Sequence, residues 1–140
     1  MSKQYFKRLI EARFQKLKGS IFLNLESVEK YAEQTVSSVY FLILDAQGLK
    51  DLNSDHLASH LGKAHGIVTL LRSVPHNAIK RTIDLPQDIL IKNKISSEFV
   101  LQGKSSKEFK EVIFEVSSRA KQHLEKVFEV CTYHYFCIPN

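Results

Sequence analysis

The sequence predicts an all-α fold, and three observations carry the prediction. Apolar residues recur at intervals of three and four through four long segments. Serine, asparagine and aspartate stand where those segments begin, and glycines stand where two of them end. A chain of 140 residues, 44% of them hydrophobic, can bury one core, so a single domain is expected.

The first helix is predicted over residues 3–18, where Phe6, Leu9, Ile10, Phe14 and Leu17 make an apolar stripe with Arg13 on its flank, and Gly19 supplies the stop. It is amphipathic and basic, as a transit peptide would be, but Glu11 and the scarcity of serine argue against that reading. A short linker precedes Asn24, a plausible N-cap for a helix running to about Gln47 with Gly48 as terminator. Leu25, Val28, Tyr31, Ala32, Val36, Val39, Leu42, Ile43 and Ala46 hold its period, and Val36-Ser37-Ser38 interrupts its propensity.

The central helix follows, capped by Asn53 or Ser54. Leu57, Leu61, Ala64, Val68 and Leu71 form its core stripe, which Ile67 and Leu70 widen. Gly62 and Gly66, one turn apart, predict a close neighbour, and Ser73 with Pro75 is expected to end the helix. A short turn of helix is predicted at residues 87–90, and a brief helix capped by Ser96 or Ser97 ends at Gly103. Ser105 or Ser106 caps the last strong helix, in which Phe109, Val112, Ile113, Val116, Ala120, His123 and Leu124 should pack on the central helix. From Val127 the aromatic and β-branched residues lose helical period, which divides the chain into a helical domain over residues 1–126 and a divergent tail over residues 127–140.

Composition narrows the function. A formal charge of +5 and a pI near 9.2 predict a basic surface, either a solvated face or one that meets anionic lipid or an acidic partner. No run approaches the roughly 18 apolar residues of a membrane span, and no zinc-finger or RNA-binding motif is present, so neither insertion nor nucleic-acid binding is expected. Cys131 and Cys137 are the only cysteines, and free thiols in a reducing compartment are the simplest reading.

Metal and catalytic patterns are weak. His56 and His60 share a helix face at metal-ligand spacing, but His65 faces elsewhere and a third ligand is missing. Asp51-Leu52-Asn53-Ser54-Asp55 begins like a calcium loop, yet His56 replaces its glycine and Gly62 its distal glutamate. Asp51 and Asp55 suit a helix start better. Ser73 and His76 have no acid to orient the histidine. Arg72, Lys80 and Arg81 form a basic segment that is either solvated or open to a phosphate.

The run Leu61-Gly62-Lys63-Ala64-His65-Gly66-Ile67-Val68-Thr69-Leu70-Leu71-Arg72, followed by Leu85-Pro86-Gln87-Asp88, resembles the second motif region of squalene and phytoene synthases. In those enzymes this helix carries acidic residues one turn apart that hold magnesium against a prenyl diphosphate. Here Thr69 and Ser73 stand at those positions, Asn77 at a further acidic one, and Lys16 where another helix carries Asp. Hydroxyls and an amide cannot neutralise a magnesium ion clamping a diphosphate. The resemblance implies part of an isoprenoid-synthase bundle without its reaction, with no catalytic residue, metal or cofactor.

Tyr31-Ala32-Glu33-Gln34-Thr35 and Ser54-Asp55-His56-Leu57-Ala58-Ser59-His60-Leu61-Gly62-Lys63-Ala64 are similar to a non-catalytic branch of that family, which assists assembly of respiratory complex I. This implies complex I subunits or other assembly factors as partners, peripheral membrane contact, and a place on the matrix side of the mitochondrial inner membrane. It also implies that His56, His60, Lys63, Gly66, Thr69, Arg72, Ser73, Asn77 and Arg81 line a vestigial pocket or partner groove. Against the branch's full pattern, the targeting region, first aspartate-rich helix and final helices have no counterpart, so a short form left in the cytoplasm is also expected. Apolar faces on the Phe6 and Phe109 helices should then lie open. The rival readings are a magnesium-dependent prenyl diphosphate transferase and a truncated form without activity.

Overall fold

A computed structural model describes residues 3–136, and over those residues the chain is helical throughout, with short connections. The order is α1 (Lys3–Leu17), α2 (Leu25–Ala32), a π-helical segment (Glu33–Ser37), α3 (Ser38–Ala46), α4 (Leu52–Ile79), α5 (Gln87–Lys92), α6 (Ser97–Leu101) and α7 (Lys107–Phe136). The two long helices, α4 and α7, pack on each other, as their facing apolar stripes require. The helix pair formed by α2, the π segment and α3 closes the other side of α4, and α1 lies across the π segment and α3.

Local chemistry fixes most boundaries. Asn24 and Ser27 form a reciprocal capping box, with Asn24 Oδ1 accepting from Ser27 N–H at 2.9 Å. Ser96 and Ser106 accept from the amides of Phe99 and Phe109. Gly19 and Gly48 end helices with φ of 89° and 75°, where a side chain would be strained. The linker before α2 is fixed at its far end: Gln87 and Asp88 donate their amides to the Phe22 and Leu23 carbonyls at 2.9 and 3.1 Å, which serves the open first turn of α5.

The interruption predicted at Val36-Ser37-Ser38 takes the form of the π segment. Its hydroxyls are absorbed internally: Thr35 donates to the Tyr31 carbonyl at 2.7 Å, and Ser37 crosses to the Ser59 carbonyl of α4 at 3.1 Å. Gly62 and Gly66 lie under this segment. A Cβ on Gly62 would stand 2.5 Å from Ser37 Cα, and one on Gly66 would meet Ala32. The close neighbour that the two glycines predict is therefore the backbone around the π turn.

The core joins Phe22, Val28, Ile67, Val74, Leu85, Ile89, Leu90, Val100, Val112, Val116 and Ala120. The stripe predicted on α7 is thus largely buried, whereas the Phe6, Ile10, Phe14 and Leu17 row of α1 is open to solvent.

Four expectations are corrected. Pro75 does not end α4, which continues to Ile79: the proline ring is exposed, while Val74 and Ala78 on either side of it are buried in the bundle. Asp51 caps α4 in place of Asn53 or Ser54, accepting from Ser54 N–H at 2.8 Å. Val68 is 41% exposed while Ile67 is wholly buried, so the inward face is rotated by one residue from the predicted stripe. Residues 127–136 continue α7, since each β-branched or aromatic residue costs only tenths of a kcal/mol and extending a formed helix avoids nucleation. Cys137 lies outside the described residues, and Cys131 is an exposed free thiol.

Candidate functional site

Two polar centres interrupt the apolar packing along α4, separated by about 25 Å of helix from His60 to Asn77 at 1.5 Å per residue. The first is formed by Lys16 of α1, Ser73 and Asn77 of α4, and Asp84 in the loop after it. Lys16 Nζ reaches Asp84 Oδ1 at 2.6 Å, and Asn77 Nδ2 donates to Asp84 Oδ2 at 2.7 Å and to Ser73 Oγ at 2.9 Å. Ser73 in turn donates to the Leu70 carbonyl. The ammonium of Lys16 also lies 4.1 Å from the Phe22 ring centroid and donates to the Ser20 carbonyl. Burial, opposed by Arg13 and reinforced by Asp84, raises the Tyr31 phenol above its ordinary range. Beside the ion pair an open depression of about 560 Å³ is bordered by Ile21, Arg81, Thr82, Ile83 and Gln87.

This donor set does not suit a magnesium ion. The only carboxylate in the centre, Asp84, is already paired with an ammonium, and its neighbours are neutral groups bonded to one another. Among the described residues no group of three histidine, cysteine, aspartate or glutamate side chains converges as metal ligands would.

The second centre joins α2, α4 and α7. His60 Nδ1 and His123 Nδ1 are 2.8 Å apart, His123 Nε2 is 2.7 Å from Glu29 Oε1, and Arg119 grips the same carboxylate through Nε and Nη2. Burial opposes the Glu29 charge, but hydrogen bonds from Arg119 and His123 outweigh it and hold the carboxyl below its ordinary range. An ionised Glu29 only accepts, so His123 carries a proton on Nε2, and a single proton bridges the two Nδ1 atoms of His60 and His123. Burial, with the charges of His123, His56, Lys126 and Lys63, pushes the His60 imidazole down to about 4. His60 is therefore uncharged in the folded chain near neutral pH.

Of the expected site residues, His60, Ser73 and Asn77 fall into these two places and the others lie outside them. His60 is in the second centre, and His56 is exposed with its ring edge-on to His60 at 4.5 Å. Lys63 pairs with Glu33 at 2.8 Å, and the same glutamate accepts from Ser59. Gly66 is covered by Ala32. Ser73 and Asn77 belong to the first centre, while Thr69 and Arg72 point outward. Arg81, in the left-handed conformation at φ 56°, forms the rim of the depression and a loose exposed pair with Glu98 at 3.9 Å. Sequence reasoning missed Glu29, Asp84 and Arg119. The available signal was His123 itself, since a histidine within an apolar stripe needs a partner, and Arg119 stands one turn before it.

No helix among the described residues is long and apolar enough to cross a membrane. The sequence pattern of the family described as "Squalene/phytoene synthase" matches residues 1–134. The chain is 38% identical over 125 residues to "NADH dehydrogenase (ubiquinone) complex I, assembly factor 6" of Homo sapiens, a match covering 89% of this chain and 38% of that protein. It is 40% identical over 126 residues to the homolog of that factor in Drosophila melanogaster, covering 89% of this chain and 37% of the relative. The Dictyostelium discoideum homolog is 31% identical over 128 residues, covering 90% and 36%. The chain thus spans well under half the length of the curated relatives it matches. No solved structure gives a significant match. The helical architecture and the match across nearly all of the chain place it together: this chain belongs to the squalene/phytoene synthase family.

Proposed function

We propose that this chain is a non-enzymatic helical binding module that serves assembly of respiratory complex I, at the matrix side of the mitochondrial inner membrane. The observation that carries the non-enzymatic part is the Lys16–Asp84 pair. In the family's enzymes, the resemblance places acids at Lys16, Thr69, Ser73 and Asn77. Here a lysine ammonium fills that centre and holds its one carboxylate at 2.6 Å, so the charge that a magnesium ion would supply is built into the side chains. The assembly role draws on the relatives, whose names state it, and on the extent of the match.

On this reading the chain acts by holding a complex I subunit or another assembly factor. The rim of the first centre, with Ser73, Asn77 and Arg81, and the His56 and Lys63 face of α4 are its contact surfaces, together with Thr69 and Arg72 between them, while His60 and Gly66 lie beneath that face. Two measurements test it. Incubation with farnesyl diphosphate and Mg²⁺ should release no diphosphate above a blank. Expression with an added mitochondrial targeting segment, in cells lacking the longer relative, should raise complex I activity. Diphosphate release would move the chain to the prenyl diphosphate transferases, and absence of rescue would remove the assembly role from these residues.

A further inference from the structure

The positive charge of the chain is concentrated in one element. Residues 1–18 hold six of the twenty lysines and arginines and a single acid, Glu11, a net of +5 that equals the formal charge of the whole chain. The remainder is balanced at fourteen against fourteen. Lys16 is used internally by Asp84, and the other five, Lys3, Lys7, Arg8, Arg13 and Lys18, are exposed.

The same helix has two apolar rows. Tyr5, Leu9 and Ala12 face the fold, with Tyr5 stacked on Phe41 at 5.0 Å between centroids, so α1 is an integral part of the bundle. About 100° around the helix, Phe6, Ile10, Phe14 and Leu17 are 42%, 65%, 49% and 87% exposed. By the same helical geometry Lys3, Lys7 and Lys18 follow one edge of this second row and Arg13 the other. Lys18 Nζ lies 4.3 Å from the Phe14 ring centroid, its stem lying along the apolar row while its head reaches the edge.

An acidic protein or a nucleic acid would engage these charges but leave four apolar side chains in water. A neutral apolar partner would do the reverse. A bilayer with anionic headgroups satisfies both, since apolar side chains enter the acyl boundary while lysine and arginine stay at the phosphate level. We propose that α1 is an interfacial membrane-binding helix that lays the folded chain on an anionic bilayer through Phe6, Ile10, Phe14 and Leu17, with Lys3, Lys7, Arg13 and Lys18 as its charged margin. This names the surface for the membrane contact in the reading above, and it stands or falls apart from the role in assembly, because vesicle binding and complex I rescue are measured separately.

The test is cosedimentation of the full chain with vesicles of phosphatidylcholine alone, or with about one third phosphatidylglycerol. Binding is expected only with the anionic lipid, weakening as salt is added. The triple variant Lys7→Gln/Arg13→Gln/Lys18→Gln and the double variant Ile10→Ser/Phe14→Ser should each lower partitioning by at least about tenfold, with unchanged thermal melts because all five positions are exposed. The chain has no tryptophan, so Ile10→Trp should report insertion by a blue-shifted emission on anionic vesicles. Absence of binding, or equal binding to both vesicles, would overturn the proposal. Loss in the charge variant alone, with equal binding to an oligonucleotide, would assign the face to polyanions instead. Self-association abolished by the apolar variant, without vesicle binding, would assign it to a second copy.

Discussion

His60 and His123 meet nitrogen to nitrogen at 2.8 Å between α4 and α7, and only one proton fits between them. Lysines at 63 and 126, His56 and Arg119 surround the pair, and Glu29 is the carboxylate that faces it. The sign of the pH dependence follows. His60 titrates at about 4 when folded and near 6.5 when unfolded, so the unfolded chain binds the extra proton first. Stability should be intact above pH 6.5 and fall as the pH drops from there to 4. The full effect of such a shift is about 3 kcal/mol. His60→Asn, which can still donate to His123, should flatten the fall in denaturant-derived stability over that interval. An unchanged slope would show that another group titrates there.

The packing of α4 under the π turn predicts an unusual glycine response. Alanine normally stabilises a helix interior by about 1 kcal/mol over glycine. At Gly62 the added methyl would stand 2.5 and 2.6 Å from Ser37 Cα and N, which are backbone atoms that cannot step aside. Gly62→Ala should therefore lower stability by about 2 kcal/mol or more in urea unfolding. A gain would mean that the π segment moves freely.

For the Lys16–Asp84 pair, removal of one partner should cost more than removal of both. Lys16→Met leaves a carboxylate that is 12% exposed without its cation, a loss of about 3 kcal/mol. In the double variant Lys16→Met/Asp84→Asn much of that loss should be recovered, giving a coupling above about 1 kcal/mol in a double-mutant cycle. Additive losses would reduce the pair to a surface contact.

Neighbouring positions on α4 should respond oppositely to charge. Ile67→Asp places a carboxylate in the dry core and should abolish cooperative melting. Val68→Asp, at a 41% exposed position, should stay within about 0.5 kcal/mol of the parent chain. Leu61→Asp, at a half-buried position, should fall between them.

Much of this architecture is written in local chemistry. Asn24, Ser96 and Ser106 announce their helices because a cap involves residues three apart, and Gly19, Gly48 and Gly103 mark turns that only their own backbone decides. Pro75 misleads for a complementary reason: a rule about hydrogen bonding within one helix cannot foresee that the packing of Val74 and Ala78 carries the helix past it. The polar centres were the least legible. Glu29 and His123 are 94 residues apart, and Lys16 meets Asp84 only because the linker after α1 docks on the start of α5. Nothing in their immediate neighbours records the pairing.

The π segment also acts as a phase shifter. A regular α-helix from Leu25 to Ala46 would present one continuous row, whereas one residue held out of step turns everything after it by about 100°. After that rotation Phe41 and Leu42 are buried while Val39 and Ile43, which a regular helix would keep in the stripe of Val28 and Ala32, are 43% and 47% exposed, and Phe41 stacks on Tyr5. Deleting a single residue from this turn would straighten the rod yet swing α3 out of register with α1. The short helix that anchors the basic face to the rest of the molecule is thus aimed by one surplus amino acid.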